Sequence, residues 1–135
     1  MQTFLPYPDF KQCAKVLDRQ RLGKQRVECK QILLALTQPD YGWKHHPAVK
    51  MWRGHERALA VYAWMMCHEW KRRGYKDSLQ DWFLQFTDRP CTLPAWIGDE
   101  RVHESHRSAL ARKLPEHYEQ FGWSVTTPDY YWPVH

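Results

Sequence analysis

"HERALAVYAWMMCHEWKRR", residues 55–73, decides the fold. Leu59, Tyr62, Met66 and Trp70 recur at spacings of three and four, with Ala58, Val61 and Met65 alongside. That is the period of an amphipathic helix burying one stripe. Lys71, Arg72 and Arg73 place cations where the helix dipole is negative, and Gly74 can stop the helix. Toward the amino end, "WKHHPAVKMWRGH" (43–55) reads as a loop with one or two helical turns after Pro47, preceded by the turn cluster "QPDYG". Asp18 heads a longer helix over roughly 18–37, and Asp9 caps a short one over roughly 9–17. Pro6 and Pro8 keep the first eight residues extended. Toward the carboxyl end come a short helix near 78–86, a loop, and a helix capped by Asp99. A last helical piece starts at Pro115 and is stopped by Gly122, before an irregular tail. No strand pattern of any length and no internal repeat appears. The expectation is all-α: a single compact domain of about four to six helices with ordered, extended termini.

The 135 residues suit one domain able to bury roughly two-thirds of its unfolded surface. Eight Trp, seven Tyr and five Phe exceed what a core of this size requires, which leaves aromatic surface for binding. No apolar run reaches the ~18 residues of a membrane span, and "MQTFLPYPDF" lacks the features of a signal peptide. Cys13, Cys29, Cys67 and Cys91 are well separated, without CxxC. The expectation is a cytoplasmic monomer with reduced thiols. Charge is uneven: residues 1–76 carry 15 Lys/Arg against 6 Asp/Glu, and residues 77–135 carry 5 against 9. One face is therefore expected to meet a polyanion.

Within the long helix, "RLGKQRVECKQIL" (21–33) holds one acid, Glu28, among Arg21, Lys24, Arg26 and Lys30. At ~100° per residue, Leu22, Cys29, Leu33 and Leu36 share a narrow arc. Arg26 falls inside it, whereas Glu28 lies off it beside Arg21, Lys24, Gln25 and Ile32. An arginine in an apolar stripe either pairs with an acid elsewhere or opens into a wet cleft. An acid amid cations either pairs locally, here with Lys24 at i−4, or serves chemistry.

That segment, with "GWKHH", "LAVYAWMMCHEWKRRGY", "HESHRSALARK" and "YYWP", resembles the pyrimidine-dimer DNA glycosylase family, over most of the chain. The resemblance implies one helical domain of that type over residues 1–135, with no metal or cofactor. It implies removal of a damaged or modified pyrimidine from duplex DNA, with possible strand cleavage at the abasic site. It implies a catalytic α-amine, here on Met1, since the bulky Gln2 disfavours Met removal. Glu28 matches the family's proton-handling glutamate, and Val27 stands where an arginine is common, leaving Arg26 as the substitute. Arginines near the glutamate hold phosphates in the family, and an aromatic tail like "DYYWPVH" lies near the lesion. An α-amine suits the chemistry because such groups titrate near ~7.7–8, against ~10.4 for lysine. A neutral, nucleophilic fraction thus exists at cellular pH.

The remaining candidates follow from the basic, aromatic loops. Arg21, Lys24, Lys44, His45, His46 and Arg53 are expected to bind phosphates, and Trp43, Tyr130, Tyr131 and Trp132 to stack on bases. Trp52 is a second stacking candidate, Trp64 and Trp70 are expected in the core, and His103 and Glu104 are possible supports. No HExxH or Cys/His spacing supports a metal. The rival reading is a non-catalytic nucleotide or modified-base binder using the same cleft. A helical protein whose basic face meets an acidic partner is a third.

Overall fold

The computed structural model describes residues 1–134. Those residues form six α-helices: α1 (Phe10–Val16), α2 (Arg19–Thr37), α3 (Pro47–Lys50), α4 (Glu56–Arg72), α5 (Glu100–Lys113) and α6 (Pro115–Tyr118). Two 3-10 segments, Gln80–Phe86 and Glu119–Phe121, complete the set, and no strand occurs among the described residues. The helix starts follow from their caps. Asp9, Asp18 and Asp99 each accept a backbone N–H from the first turn, at Gln12, Arg21 and Arg101. Gly74 and Gly122 take positive φ after their segments, as a helix stop demands. No described helix is long and apolar enough to cross a membrane.

α2 packs along α4, and α4 also receives α1 and the 3-10 segment Gln80–Phe86. Leu22, Cys29, Ile32 and Leu33 of α2 meet Leu59, Tyr62, Met66 and Cys67 of α4 in one fully buried core. Trp52 belongs to that core with no exposure at all, its indole N–H donating to Thr3 Oγ1 at 3.0 Å. It cannot stack on a ligand, against expectation. Trp64 and Trp70, expected inside, are only partly buried; Trp64 stacks on His68 and Trp70 on Tyr75. All four thiols are free; Cys13, Cys29 and Cys67 are buried, and Cys91 is exposed.

The first six residues are the unusual element. They run extended through the core, with Gln2 to Pro6 all buried. No strand lies beside them, so side chains must satisfy their backbone groups. From α2, Gln25 Oε1 accepts the Phe4 N–H at 2.8 Å, and Gln25 Nε2 donates to Gln2 O at 2.9 Å. From α4, the Tyr62 hydroxyl lies 2.6 Å from Phe4 O and 2.7 Å from Gln25 Oε1. From α5, His106 Nδ1 accepts the Leu5 N–H at 2.9 Å, and Arg107 donates to Pro6 O at 2.7 Å. His103 accepts the Gly98 N–H at Nε2, so its proton sits on Nδ1, which donates to Leu5 O at 2.7 Å. Tyr118 of α6 instead fixes the start of α2, donating to Asp18 Oδ1 at 2.5 Å.

Candidate active site

Threading the amino end through the core delivers Met1 to one mouth of it. There, Met1, Gln2, Phe4, Gln20, Arg21, Lys24, Gln25, Glu28, Lys113 and Tyr130 enclose a cavity of about 330 Å³. Three stretches that are distant in sequence meet at this cavity: the amino end, one face of α2, and the α5 end with the tail. Glu28 Oε2 accepts the Gln2 N–H at 3.0 Å, which holds the carboxylate one peptide unit from the α-amine. The i−4 pair of Glu28 with Lys24 does not form; the carboxylate is turned to the amino end instead. Arg21 lines the same cavity, its guanidinium 3.3 Å from Asp18 Oδ2.

His46 caps α3 by accepting the Ala48 N–H at Nδ1, 3.0 Å away, which puts the proton of the neutral ring on Nε2. Burial holds this imidazole below the ordinary histidine range. The Met1 ammonium pushes the same way and Glu28 opposes it, so the ring senses both charges of the cavity. Its edge meets Trp132 at 5.9 Å, and Trp132 meets Tyr130 at 5.5 Å. Tyr130 in turn packs at a tilt against Phe4 and edge-on against His106. A row of rings therefore runs from the cavity wall to the 43–46 loop. Burial raises the Tyr130 hydroxyl above its ordinary range, with the Glu28 charge adding to the effect, so it is held as a neutral donor.

Other expected site residues go elsewhere. Arg26 does not join Glu28. Its Nε donates to Asp77 Oδ1 at 2.9 Å, and its guanidinium lies 4.8 Å from the Trp70 ring centre. The Asp77 side chain is 1% exposed and also accepts the Leu79 and Gln80 N–H groups, so Arg26 compensates a buried acid. One helical step separates Arg26 from Val27, and the rotation of ~100° carries its side chain away from the Glu28 face. Val27 itself is exposed on the outer side of α2. Lys44 is spent on structure: its Nζ donates to Ala35 O and Gln38 O, which the end of α2 leaves without helical partners. Arg53 donates to Lys44 O at 3.2 Å, and neither it nor His45 lines the cavity. Tyr131 lies under Arg101, with the guanidinium 4.5 Å from its ring, and its N–H is held by Ser105 Oγ. His103 supports the threaded segment as described, and Glu104 lies beside a separate surface hollow with Arg107 and Trp123.

Gln2, Gln20, Gln25, Phe4 and Lys113 complete the cavity without having been picked out from the sequence. A signal existed for Gln25, which falls on the helical wheel between Glu28 and the apolar arc. A neutral amide there is placed to serve buried backbone.

The model of the pyrimidine dimer DNA glycosylase family matches residues 1–82, and the chain belongs to that family. It is thereby one of a class of DNA-repair glycosylases, for which DNA is the binding partner. The match spans α1 to α4, including Met1 and Glu28; Lys113 and Tyr130 come from outside it. Neither curated proteins nor solved structures returned a match.

Proposed function

We propose that this chain excises a damaged or modified pyrimidine from duplex DNA and then cleaves the abasic strand, with the Met1 α-amine as nucleophile and Glu28 as acid/base. The observation that carries the reading is the 3.0 Å hydrogen bond from the Gln2 N–H to Glu28 Oε2, within one cavity that Met1 also lines. The amine attacks C1′ of the extruded nucleotide. The C1′–N bond breaks, its electron pair leaves with the base, and the base takes up a proton. The sugar then opens at C1′–O4′ to give an imine. Glu28 accepts the proton the amine loses and returns one to O4′. Loss of a C2′ proton from the imine expels the 3′ phosphate and cuts the strand. Arg21, Lys24 and Lys113 supply positive charge for the flanking phosphates. Tyr130 and Trp132 present ring faces and a neutral hydroxyl to the extruded nucleotide. His46, neutral and near both charges, is a donor through Nε2.

Borohydride reduction of the imine on an abasic duplex tests this. The wild type is expected to give a covalent adduct, mapped by mass to Met1. Glu28→Gln keeps an acceptor for the Gln2 N–H and is expected to lower the yield ~10²-fold or more. No wild-type adduct on abasic or damaged DNA ends the covalent reading. One observation favours a non-catalytic binder: with Val27 outward and Arg26 spent on Asp77, the one arginine expected immediately beside Glu28 is missing. Thermal stabilisation by nucleotides and not by DNA would select that alternative.

A further inference from the structure

Trp43 has the highest exposure of any large apolar side chain among the described residues, 61%. It is also the one described non-glycine residue with positive φ, at 70°. Both features cost free energy: an indole gains from burial, and an L-residue with a Cβ avoids that backbone region. The surroundings enforce them. Trp43 O accepts the His46 N–H at 3.0 Å, Lys44 Nζ reaches back onto the end of α2, and Arg53 holds Lys44 O. These bonds tie the loop to the body of the protein, and the indole stands exposed on that fixed base. Its one ring contact is with His46, at 6.0 Å, the outer end of the row that runs through Trp132 and Tyr130 to the cavity wall. The fold thus holds a large flat surface in water at the outer end of a row of rings whose inner end, Tyr130, lines the cavity.

We propose that Trp43 is a wedge that enters the base stack of a bound duplex, at the gap left when a nucleotide is swung out of the stack. The inference rests on the proposed DNA reading. Unstacking a nucleotide leaves its neighbours without a partner face, and an indole replaces that face for any base. A rigid loop matters because a wedge ordered only on binding would spend affinity on its own ordering.

The test uses a duplex carrying a tetrahydrofuran abasic analogue, the same modified strand alone, and the full-length protein with Trp43→Gly and Trp43→Phe. Trp43→Gly is expected to weaken duplex binding roughly 5- to 150-fold, the range for loss of one base–aromatic stack. The loss on the single strand is expected to be several-fold smaller, and Trp43→Phe to lie between wild type and Trp43→Gly. Glycine accepts φ 70° without a Cβ clash, so the melting temperature of Trp43→Gly holds or rises, whereas a merely structural tryptophan would lower it. Equal losses on both DNAs, unchanged duplex affinity, or a lowered melting temperature overturns the wedge while leaving the cavity chemistry intact. A wild type that binds neither DNA overturns the DNA reading and the wedge together.

Discussion

His106 receives the Leu5 N–H at Nδ1, 2.9 Å away, while its Nε2 is buried with no hydrogen-bond partner. The ring must stay neutral to accept that bond. Burial, with a smaller contribution from the adjacent His103, pushes its pKa from 6.5 down to about 3. The unfolded chain therefore takes up a proton that the folded chain refuses. Stability is complete above about pH 6.5 and falls as pH drops toward 3, with a limiting slope near 1.4 kcal/mol per pH unit. Urea unfolding between pH 7 and 4 is expected to show this decline. His106→Gln, which supplies a non-titrating acceptor, is expected to flatten it. A His106→Gln profile as steep as that of the wild type would contradict the assignment.

Gln25 sets the position of the amino end. Gln25→Ala strands the Phe4 N–H and Gln2 O in the core, at a cost of about 1–3 kcal/mol. The larger effect is expected on chemistry, because a shift of about 1 Å in a nucleophile can cost 10²-fold. Borohydride trapping by the folded fraction should slow by roughly that factor. Trapping at the wild-type rate would show that Glu28 alone positions Met1.

Arg26 and Lys24 are two residues apart and should fail differently. Arg26→Ala leaves the Asp77 carboxylate buried without its cation, and about 3–5 kcal/mol of stability is expected to be lost. Whatever fraction folds should still form the adduct, because Arg26 does not line the cavity. Calorimetry beside trapping separates these readouts; a stable but inactive Arg26→Ala would restore the catalytic role that the geometry denies it.

Lys24 lines both the cavity and an adjoining groove with Arg19 and Trp70. Lys24→Ala is expected to reduce the slope of log K against log salt by about 0.9 for duplex DNA, the value for one phosphate contact. Lys44→Met should leave that slope unchanged and lower stability by about 1 kcal/mol, since its ammonium is committed to carbonyls at the end of α2 and its cap, Gln38. Titrations at several salt concentrations decide both cases.

Much of the scaffold was legible because it is governed locally. The stripe of α4 and the caps at Asp9, Asp18 and Asp99 depend on residues within a turn or two of each other, and all appear where the sequence puts them. Glu28 was legible as an acid with no reason to sit among cations. Arg26 was not, because its partner Asp77 stands 51 residues away in a loop that no periodicity marks. Trp43 and Trp52 flank the same loop, yet one is outside and the other inside, a difference set by contacts with Thr3 and the end of α2 that no periodicity marks. The threaded amino end was read as extended. Its burial could not be inferred, because the groups that make it possible come from helices without sequence proximity.

Half of those groups, from α5, lie late in the chain. Leu5 is tied to His103 and His106, Pro6 to Arg107 and Asp18 to Tyr118, across separations of 98 to 101 residues. During synthesis α1, α2 and α4 emerge first, with partners for the Gln2 and Phe4 peptide groups, while Leu5 and Pro6 still lack theirs. The pocket around Glu28 can close only after α5 and α6 have left the ribosome. Contacts of this range also slow folding, since their loop entropy is spent before they form. A nascent or prematurely terminated chain consequently lacks the closed cavity that Met1 and Glu28 line, and that cavity exists only once α5 and the tail have been made.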